Sequence, residues 1–447
     1  MICNSLDESE YFIINNIGTT VSLKPTMPRS LRKKYKINHF SGNAQFIISC
    51  SSGDNNTSLL YRTIDTSFTS FDTLYKSGSP ILDFFGGSNS VYIKEYITNT
   101  VRLIKLDLQE RKAVSLKLEN GIYSVDINHP SSKPDNVVIE IEGPNIPPRE
   151  VKLSNNNSTQ ITLWQDTLNT KVLNGEITSE LMWFKSEDGT SIPITLLYKK
   201  ETIKLKNRSL LLKAYGAYGA TVHTFYNLDN LVYINNGFIV AFIHTRGGGE
   251  LGNQWYSSGK LLNKKNTFID FVGGTDYLQK KFNIPATRTV AYGSSAGGLI
   301  MGYVANMHRN KYELLIFDKP YLDVLSTMGD EKLPLTTEEY MEWGNPSDSN
   351  YYNYINSYSP YQNISGTNYP NMLFYIKYQD VQTPYWQSLQ SLSKYRESNE
   401  NTSLILCDID MDTGHKGSVN YSQLVTEKAE IFAIVKYLTT SNIFNEK

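Results

Sequence analysis

From about residue 176 onward, apolar runs alternate with helix-length segments, and this alternation constrains the fold more than any other feature of the sequence. The apolar runs cover 209–216, 237–247, 289–294, 314–318, 371–380 and 402–410. The segments that carry apolar residues at helical spacing are 266–282, 296–310, 384–398 and 423–440. Continuous apolar strands joined by helices predict a mostly parallel sheet that is covered on both faces. We therefore predict an α/β domain over 176–447.

The first part of the chain, 1–175, has a different texture. Short runs rich in Ile, Val, Tyr and Thr are separated by polar turns, as in 57–65, 90–108 and 136–144. This pattern predicts an all-β unit. A sandwich, a barrel and a propeller all fit it, because no clean repeat signature is present to choose between them.

The charge and the cysteines of the chain bear on its partners and its compartment. With 43 basic and 44 acidic residues, the formal net charge is −1, so no global field draws the chain to nucleic acid or an anionic membrane. Cys3, Cys50 and Cys407 are odd in number and far apart, which argues against a disulfide framework and a zinc site. The first residues do not resemble a signal peptide, and no apolar run reaches the ~18 residues of a membrane span. We expect a cytoplasmic protein.

A nucleophile motif stands at one strand-to-helix junction. Gly293, Ser295 and Gly297 form G-x-S-x-G at the end of one apolar run and at the start of the helical segment 296–310. A serine on such a turn presents its hydroxyl at the edge of the sheet. Because strand, motif and helix follow in this order, we predict that Ser295 is a nucleophile and that the motif is more than a glycine-rich turn.

A serine hydroxyl needs a base, oriented by a third group, to be nucleophilic at neutral pH. In the chain order typical of this turn, a carboxylate and then a histidine follow the serine. Only His308 and His415 follow Ser295, and His308 lies on the helix that the motif opens, pointing away. We predict His415, in a loop after a strand, as the base and Asp380, which closes the preceding strand, as the carboxylate. Asp410, which is close to His415 in sequence, is predicted to brace its loop.

The oxyanion that forms on attack needs preorganised hydrogen-bond donors. The backbone N–H of Ala296, the residue after the nucleophile, is one expected donor. The second is expected from the glycine-rich turn 215–220, which follows the first strand of the α/β domain. The residue types alone leave Tyr218 in this turn open between an oxyanion donor and a packing residue.

The segments around these residues closely resemble the oligopeptidase B branch of the prolyl oligopeptidase family of serine peptidases. They are 215–220, 246–271, 293–298, 333–346, 357–364, 380–386 and 410–415, and they cover nearly all of 205–420 in the family's order. The resemblance implies an α/β-hydrolase catalytic domain whose site is roofed by a β-propeller. It implies the triad Ser295, Asp380 and His415, with Tyr218 as the hydroxyl donor to the oxyanion. It also implies cleavage of short peptides through an acyl-enzyme, without a metal or an organic cofactor.

Two departures from the family pattern bear on specificity. The family holds a basic P1 side chain with a carboxylate pair, of which Glu339 matches one member while Met341 occupies the other position. Glu342 is next in the chain and is expected to point elsewhere. Because removing one partner of a buried charge pair costs ~2–5 kcal/mol, we expect a weakened preference for Arg and Lys. A second acidic pair of the family falls on His223 and Phe225, which puts a basic P2 preference in doubt.

The length of the β part is a third departure. About 175 residues at ~40–45 per blade correspond to roughly four blades, against seven in the family. We therefore predict a partial, about four-blade β-propeller over 1–175 and a chain that is shortened at its N-terminus. A partial propeller leaves strand edges unpaired. A closed ring, an open arc and completion by a second chain that supplies the missing blades all stay open.

Two roles are open for the charged residues of the segment 246–250. An ion pair between Arg246 and Glu250 near the site would position substrate, which makes Arg246 a candidate substrate-binding residue. The alternative, which we favour, is that the pair braces the loop.

The sequence thus predicts a serine-type oligopeptidase acting on short peptides. One alternative is an esterase or aminoacyl-ester hydrolase that uses the same triad on small acyl groups. The other is an inactive or partner-dependent fragment of a two-chain oligopeptidase. The sequence does not identify the natural substrate.

Overall fold

The computed structural model of the chain describes residues 177–441 except 223, 224 and 419, together with shorter stretches of the first 165 residues. These stretches are 2–4, 11–14, 20–23, 35–39, 46–51, 58–63, 71–79, 81–86, 90–97, 100–116, 118, 124–126, 138–153 and 160–165. Within these ranges, no helix combines the length and the apolar character that crossing a membrane requires.

Four antiparallel sheets come first in the described residues. A three-stranded sheet contains β1 (Ile2–Asn4), β2 (Tyr11–Ile14) and β3 (Thr20–Leu23), and a four-stranded sheet contains β4 (Tyr35–His39), β5 (Phe46–Ser51), β6 (Ser58–Thr63) and β7 (Phe71–Ser77). Two further four-stranded sheets contain β8 (Ile81–Gly86), β9 (Ser90–Ile97), β10 (Thr100–Asp107) and β11 (Lys112–Leu116), and then β12 (Ser124–Asp126), β13 (Val138–Gly143), β14 (Ile146–Leu153) and β15 (Gln160–Gln165). Every strand pairs with its neighbours in the chain, so each sheet is a meander.

Alternating side chains of the third sheet pack against the sheets before and after it. On β9, Val91 and Ile93 belong to an apolar cluster that Leu74 of β7 joins. Tyr92, from the opposite face of β9, packs in a second cluster with Ile139 of β13. Small meanders that pack face to face in chain order are the blades of a propeller. The predicted partial, about four-blade β-propeller is therefore confirmed.

One eight-stranded sheet forms the centre of the α/β part. Its strands are β16 (Ile177–Lys185), β17 (Ser191–Lys199), β18 (Ser209–Lys213), β19 (Phe238–Ile243), β20 (Thr289–Ser294), β21 (Leu314–Asp318), β22 (Asn371–Lys377) and β23 (Ile405–Asp410). Their order is β16-β17-β19-β18-β20-β21-β22-β23, and all pairs from β19 to β23 are parallel. The predicted mostly parallel sheet is confirmed. The antiparallel hairpin β16–β17 at one edge is an addition to it.

Helices cover both faces of this sheet. Those described are α1 (Leu228–Asn235), α2 (Asn253–Ser257), α3 (Lys265–Phe282), α4 (Ala296–Met307), α5 (Val324–Gly329), α6 (Thr336–Trp343), α7 (Ser349–Asn356), α8 (Tyr385–Ser398) and α9 (Tyr421–Ser441). On β18, Leu210 and Leu212 face the core that α3, α4 and α8 cover, while Leu211 faces the core that α1 and α9 cover. This alternation explains why the strands read as continuous apolar runs.

The order of the strands places the site. β20, β21, β22 and β23 are neighbours and parallel, so their carboxyl ends lie along one edge of the sheet. The segments that carry Ser295, Asp380 and His415 leave from three of these four ends. Ligands bind at this edge in open α/β sheets.

Candidate active site

A strained turn carries Ser295. It leaves β20 and enters α4, and Ser295 has φ 54° and ψ −123°, a conformation that residues other than glycine rarely adopt. Space around it is tight, since a Cβ on Gly293 would lie 2.2 Å from the Gly297 carbonyl oxygen. The Ser295 N–H donates to the Asp318 carbonyl oxygen at 3.0 Å and ties the turn to β21. The glycines of the motif therefore allow the turn that presents the serine.

The structure brings Ser295, Asp380 and His415 together. His415 Nε2 lies 3.1 Å from Ser295 Oγ, and His415 Nδ1 lies 2.6 Å from Asp380 Oδ2. Asp380 is buried, whereas His415 is partly accessible. When Nδ1 donates its proton to Asp380, Nε2 is oriented to accept the serine proton. His308 lies just past the other end of α4, as expected.

Asp380 is held by a network that includes a residue missed by the sequence analysis. Besides the bond from His415, it accepts hydrogen bonds from the Gln382 N–H at 2.8 Å, the Thr383 N–H at 3.0 Å and the Thr383 hydroxyl at 2.9 Å. Burial favours the neutral acid, but the hydrogen bonds from His415 and Thr383 outweigh it and hold the pKa of Asp380 below its ordinary value. The sequence feature that could have identified Thr383 is its position three residues after Asp380, in the segment 380–386.

Asp410 braces the loop that carries His415, as predicted. Its Oδ2 accepts a hydrogen bond from the Thr413 hydroxyl at 2.5 Å and lies 3.3 Å from the buried Lys377 ammonium. The Gln379 N–H donates to the Thr413 carbonyl oxygen at 3.1 Å. The loops after β22 and β23 are therefore joined to each other directly before they reach the site.

The structure adds Tyr215 as a second candidate for the oxyanion role expected of Tyr218. Burial raises the pKa of both hydroxyls, with an opposing interaction from the Ser295 side chain on Tyr215 and a further rise from the Glu339 carboxylate on Tyr218. Gly216 and Tyr218 both have positive φ, 63° and 60°, and both tyrosines line the cavity beside Ser295. The oxyanion role of Tyr218 stays a prediction. In Y-G-A-Y-G-A the two have identical neighbours on their C-terminal side, and the local pattern does not separate them.

A cavity of about 430 Å³ opens beside Ser295. Ala296, the first residue of α4, lines it next to the serine, and aromatic rings such as Tyr321 and Trp343 form much of its wall. Glu339 contributes the one carboxylate among the described lining residues and accepts a hydrogen bond from Trp343 Nε1 at 3.0 Å. Burial raises the pKa of Glu339. The cavity therefore offers a single acidic group in largely aromatic surroundings.

The other side chains of α6 that the sequence analysis discussed do not line this cavity. Met341 is 56% exposed. Glu342 is buried and accepts a hydrogen bond from the Tyr218 N–H at 3.0 Å, so it points elsewhere, as expected. At the position discussed for P2, Phe225 is 40% exposed, and His223 lies outside the described residues.

Arg246 does not pair with Glu250, so that expected ion pair is wrong. Its guanidinium binds Asp270 of α3 through Nε at 2.9 Å and Nη2 at 2.7 Å, and it also binds Asp188. Glu250 instead accepts a hydrogen bond from the Val222 N–H at 2.9 Å. Asp270 wins because both of its oxygens match the guanidinium fork. Arg246 is buried and lies outside the cavity lining, so the structure shows a loop brace where substrate binding was also considered.

Sequence comparison relates the α/β part to known proteins. Residues 225–439 match the sequence profile of the prolyl oligopeptidase family. Dipeptidyl aminopeptidase BI of Pseudoxanthomonas mexicana is 40% identical over 258 residues, which are 58% of this chain and 36% of that protein. Protease 2 of Moraxella lacunata is 32% identical over 256 residues, 57% of this chain and 37% of that protein. The matched regions thus span little more than a third of the length of these relatives.

A solved structure extends the similarity beyond the α/β part. Oligopeptidase B from Leishmania major matches 97% of this chain and 62% of its own chain, with a TM-score of 0.85 and 26% sequence identity. The match therefore includes the antiparallel sheets as well as the eight-stranded sheet. The fold is an α/β-hydrolase domain preceded by part of a β-propeller, as predicted.

Proposed function

We propose that the chain is a serine-type oligopeptidase of the prolyl oligopeptidase family that cleaves short peptides through an acyl-enzyme, since residues 225–439 match the sequence profile of that family. The observation that carries the proposal is the hydrogen-bonded series from Ser295 through His415 to Asp380, with distances of 3.1 and 2.6 Å. A hydroxyl, an imidazole and a buried carboxylate in this order are the groups that nucleophilic acyl transfer needs.

In the proposed reaction, Ser295 Oγ attacks the scissile carbonyl while His415 Nε2 takes the hydroxyl proton. Asp380 keeps the imidazole in the required tautomer and stabilises the imidazolium. His415 then gives the proton to the leaving amine, and the acyl group remains on Ser295 as an ester. Water attacks this ester with His415 again as the base, which releases the acid and restores the serine.

The oxyanion of both steps would be bound by the Tyr215 hydroxyl and the Ala296 N–H. Tyr215 is favoured over Tyr218 because the Ser295 side chain contributes to the pKa of its hydroxyl, whereas Glu339 contributes to that of Tyr218. Burial raises the pKa of Tyr215, so the hydroxyl keeps its proton at neutral pH and remains a donor. Such donors act on charge that develops only in the transition state.

The cavity beside Ser295 is the proposed P1 site. Glu339 supplies one negative charge for an Arg or Lys side chain, and aromatic rings such as Trp343 supply faces for its alkyl or guanidinium portion. Because Met341 is exposed and leaves Glu339 without a second carboxylate on the lining, the proposed preference for basic P1 residues is weak. Large uncharged P1 side chains should therefore compete.

Labelling with a fluorophosphonate tests the nucleophile. The full chain should be labelled once, and Ser295→Ala should lose the label while its circular dichroism spectrum is unchanged. Ser294→Ala removes the neighbouring hydroxyl and is the matched control, which should still label. Undiminished labelling of Ser295→Ala would refute the nucleophile assignment.

Turnover measurements separate the proposal from an esterase that uses the same triad. The proposal expects cleavage of peptide amides with Arg, Lys or a large uncharged residue at P1. An esterase or aminoacyl-ester hydrolase would cleave p-nitrophenyl esters and leave the amides intact. Labelling without turnover of either class would contradict both readings.

A further inference from the structure

Two buried charged side chains next to the site have no part in the reaction described above. Lys264 precedes α3 directly and is 1% exposed, and Glu342 lies on α6 and is 3% exposed. Removing a charge from water is costly, and proteins keep such groups where they make specific hydrogen bonds. Each of the two side chains makes one hydrogen bond to the backbone of the turn 215–220.

Lys264 holds the turn from one side. Its ammonium donates to the Gly216 carbonyl oxygen at 2.6 Å, directly after Tyr215. Burial lowers the pKa of Lys264 to about 8, with Glu342 opposing the shift, so the ammonium form still prevails at neutral pH. A charge-assisted bond of this length fixes the carbonyl group that follows the proposed oxyanion donor.

Glu342 holds the turn two residues further on. One carboxylate oxygen accepts the Tyr218 N–H at 3.0 Å, and the other accepts the Tyr256 hydroxyl at 2.6 Å. Trp343, the next residue of α6, contacts the Tyr218 ring edge-on at 5.7 Å and lies 5.0 Å from the Lys264 ammonium. The turn, the two charges and one wall of the cavity therefore form a single packed unit.

The remaining side of the turn has no free space. A Cβ on Gly247 would lie 2.3 Å from the Gly216 carbonyl oxygen, and one on Gly249 would lie 2.2 Å from the Gly219 carbonyl oxygen. The Gly219 N–H also donates to the Gly247 carbonyl oxygen at 3.0 Å. With backbone packed on this side, Lys264 and Glu342 determine how the turn is placed on the others.

We propose that Lys264 and Glu342 are positioning residues that hold the turn 215–220 so that the Tyr215 hydroxyl meets the oxyanion. The inference rests on the proposed function, because it assigns the two charges a role in that reaction. Neither side chain touches substrate, so both act through Tyr215. Loss of either should lower kcat and leave KM nearly unchanged.

A double-mutant cycle with the full chain tests this role. Glu342→Gln and Lys264→Met should each lower kcat on a peptide amide ~10- to 100-fold, less than loss of an oxyanion donor itself. In a Tyr215→Phe background, the same changes should cost less than ~3-fold more, because coupled residues are not additive. Losses that multiply in the double variants, or a rise in KM with kcat unchanged, would overturn the inference.

Matched variants separate positioning from general damage. Glu338→Gln, an exposed carboxylate on the same helix, and Lys265→Met, the adjacent lysine, should keep wild-type kcat. Tyr256→Phe leaves both charges in place and removes one bond to Glu342, so it gives a folded variant even where the charge variants unfold. It should lower kcat ~3- to 10-fold, as loss of one typical intramolecular hydrogen bond would. Wild-type kcat in Tyr256→Phe would count against the inference.

Failure of the two proposals can be told apart. Wild-type protein that neither labels nor turns over would overturn the proposed function, and the inference with it. Active wild-type protein with unaffected Glu342→Gln and Lys264→Met variants would overturn the inference alone.

Discussion

The proposed triad and the proposed oxyanion turn meet at Ser295 but are positioned by different means. Ser295, Asp380 and His415 each follow a strand of the parallel sheet, and adjacent strand ends bring them together. The turn 215–220 also follows a strand, yet its shape depends on bonds from buried side chains of α6 and of the residue before α3. Strand order thus brings the three proposed triad residues to one edge of the sheet, whereas the proposed oxyanion turn is also held by side chains that reach it from packed helices.

The strongest way to break this comparison is to remove the triad's base. His415→Ala should lower kcat ~10⁶-fold, since loss of the base leaves only binding and oxyanion stabilisation. Steady-state turnover of a peptide amide measures the loss. His308→Ala is the control and should keep wild-type turnover. If turnover falls equally in His415→Ala and His308→Ala, the assignment of His415 as the base is wrong.

The two tyrosines sharpen the comparison within the turn. Tyr215→Phe should lower kcat ~10²- to 10³-fold, the usual result of losing an oxyanion donor. Tyr218→Phe removes a hydroxyl that interacts with Glu339 and should lower kcat by less than ~10-fold, the loss expected for one typical intramolecular hydrogen bond. Both substitutions keep the aromatic ring and remove only the hydroxyl, so each variant serves as the control for the other. A larger loss in Tyr218→Phe would return the oxyanion role to that residue.

Glu339 tests the cavity side of the comparison. Glu339→Gln should lower kcat/KM for an arginyl amide ~10- to 30-fold, the low end for truncating one partner of a buried pair, because a lone carboxylate attracts the substrate weakly. The value for a leucyl amide should change little. Glu338→Gln, exposed on the same helix, should leave both substrates unaffected. If the arginyl and leucyl amides fall together, Glu339 supports the cavity wall and does not select charge.

The smallest expected effect concerns acid stability on the triad side. The pKa of Asp380 in the folded protein lies below its ordinary value of 3.8, so its ionised form stabilises the fold above that pH. This contribution is lost as the pH falls through the folded-state pKa. The difference in free energy of unfolding between wild type and Asp380→Asn should therefore shrink below about pH 4. Urea unfolding at a series of pH values measures it, and a difference that stays constant down to pH 2 would contradict the ionised pairing.

The sequence predicted those parts of the molecule whose position follows from strand order. The parallel strands and the long helices α3, α4, α8 and α9 matched apolar patterns, and with them came Ser295, Asp380 and His415. The hairpin β16–β17 was not anticipated, because its alternating pattern continues the texture of the preceding β part. For the parallel strands and the long helices, the local apolar pattern agrees with the place of the element in the fold. For the hairpin, the local pattern does not distinguish its strands from those of the preceding β part.

The remaining site residues could not be predicted because their roles depend on packing. Tyr215 and Tyr218 have the same neighbours on their C-terminal side, so the local pattern does not tell them apart. Arg246 binds both oxygens of Asp270, 24 positions away, and not the nearer Glu250, which accepts a hydrogen bond from the Val222 N–H. A partner that is determined by tertiary packing in this way cannot be predicted from the spacing of residues in the sequence.

The contact of Gly247 and Gly249 with the turn has a practical consequence for engineering. Saturation libraries that aim at new selectivity should keep both positions constant, because any larger residue there would displace the backbone beside Tyr215. Diversity is better spent at Leu335, which lines the cavity and is 43% exposed. A cavity redesigned in this way would keep the arrangement of residues around Ser295 unchanged.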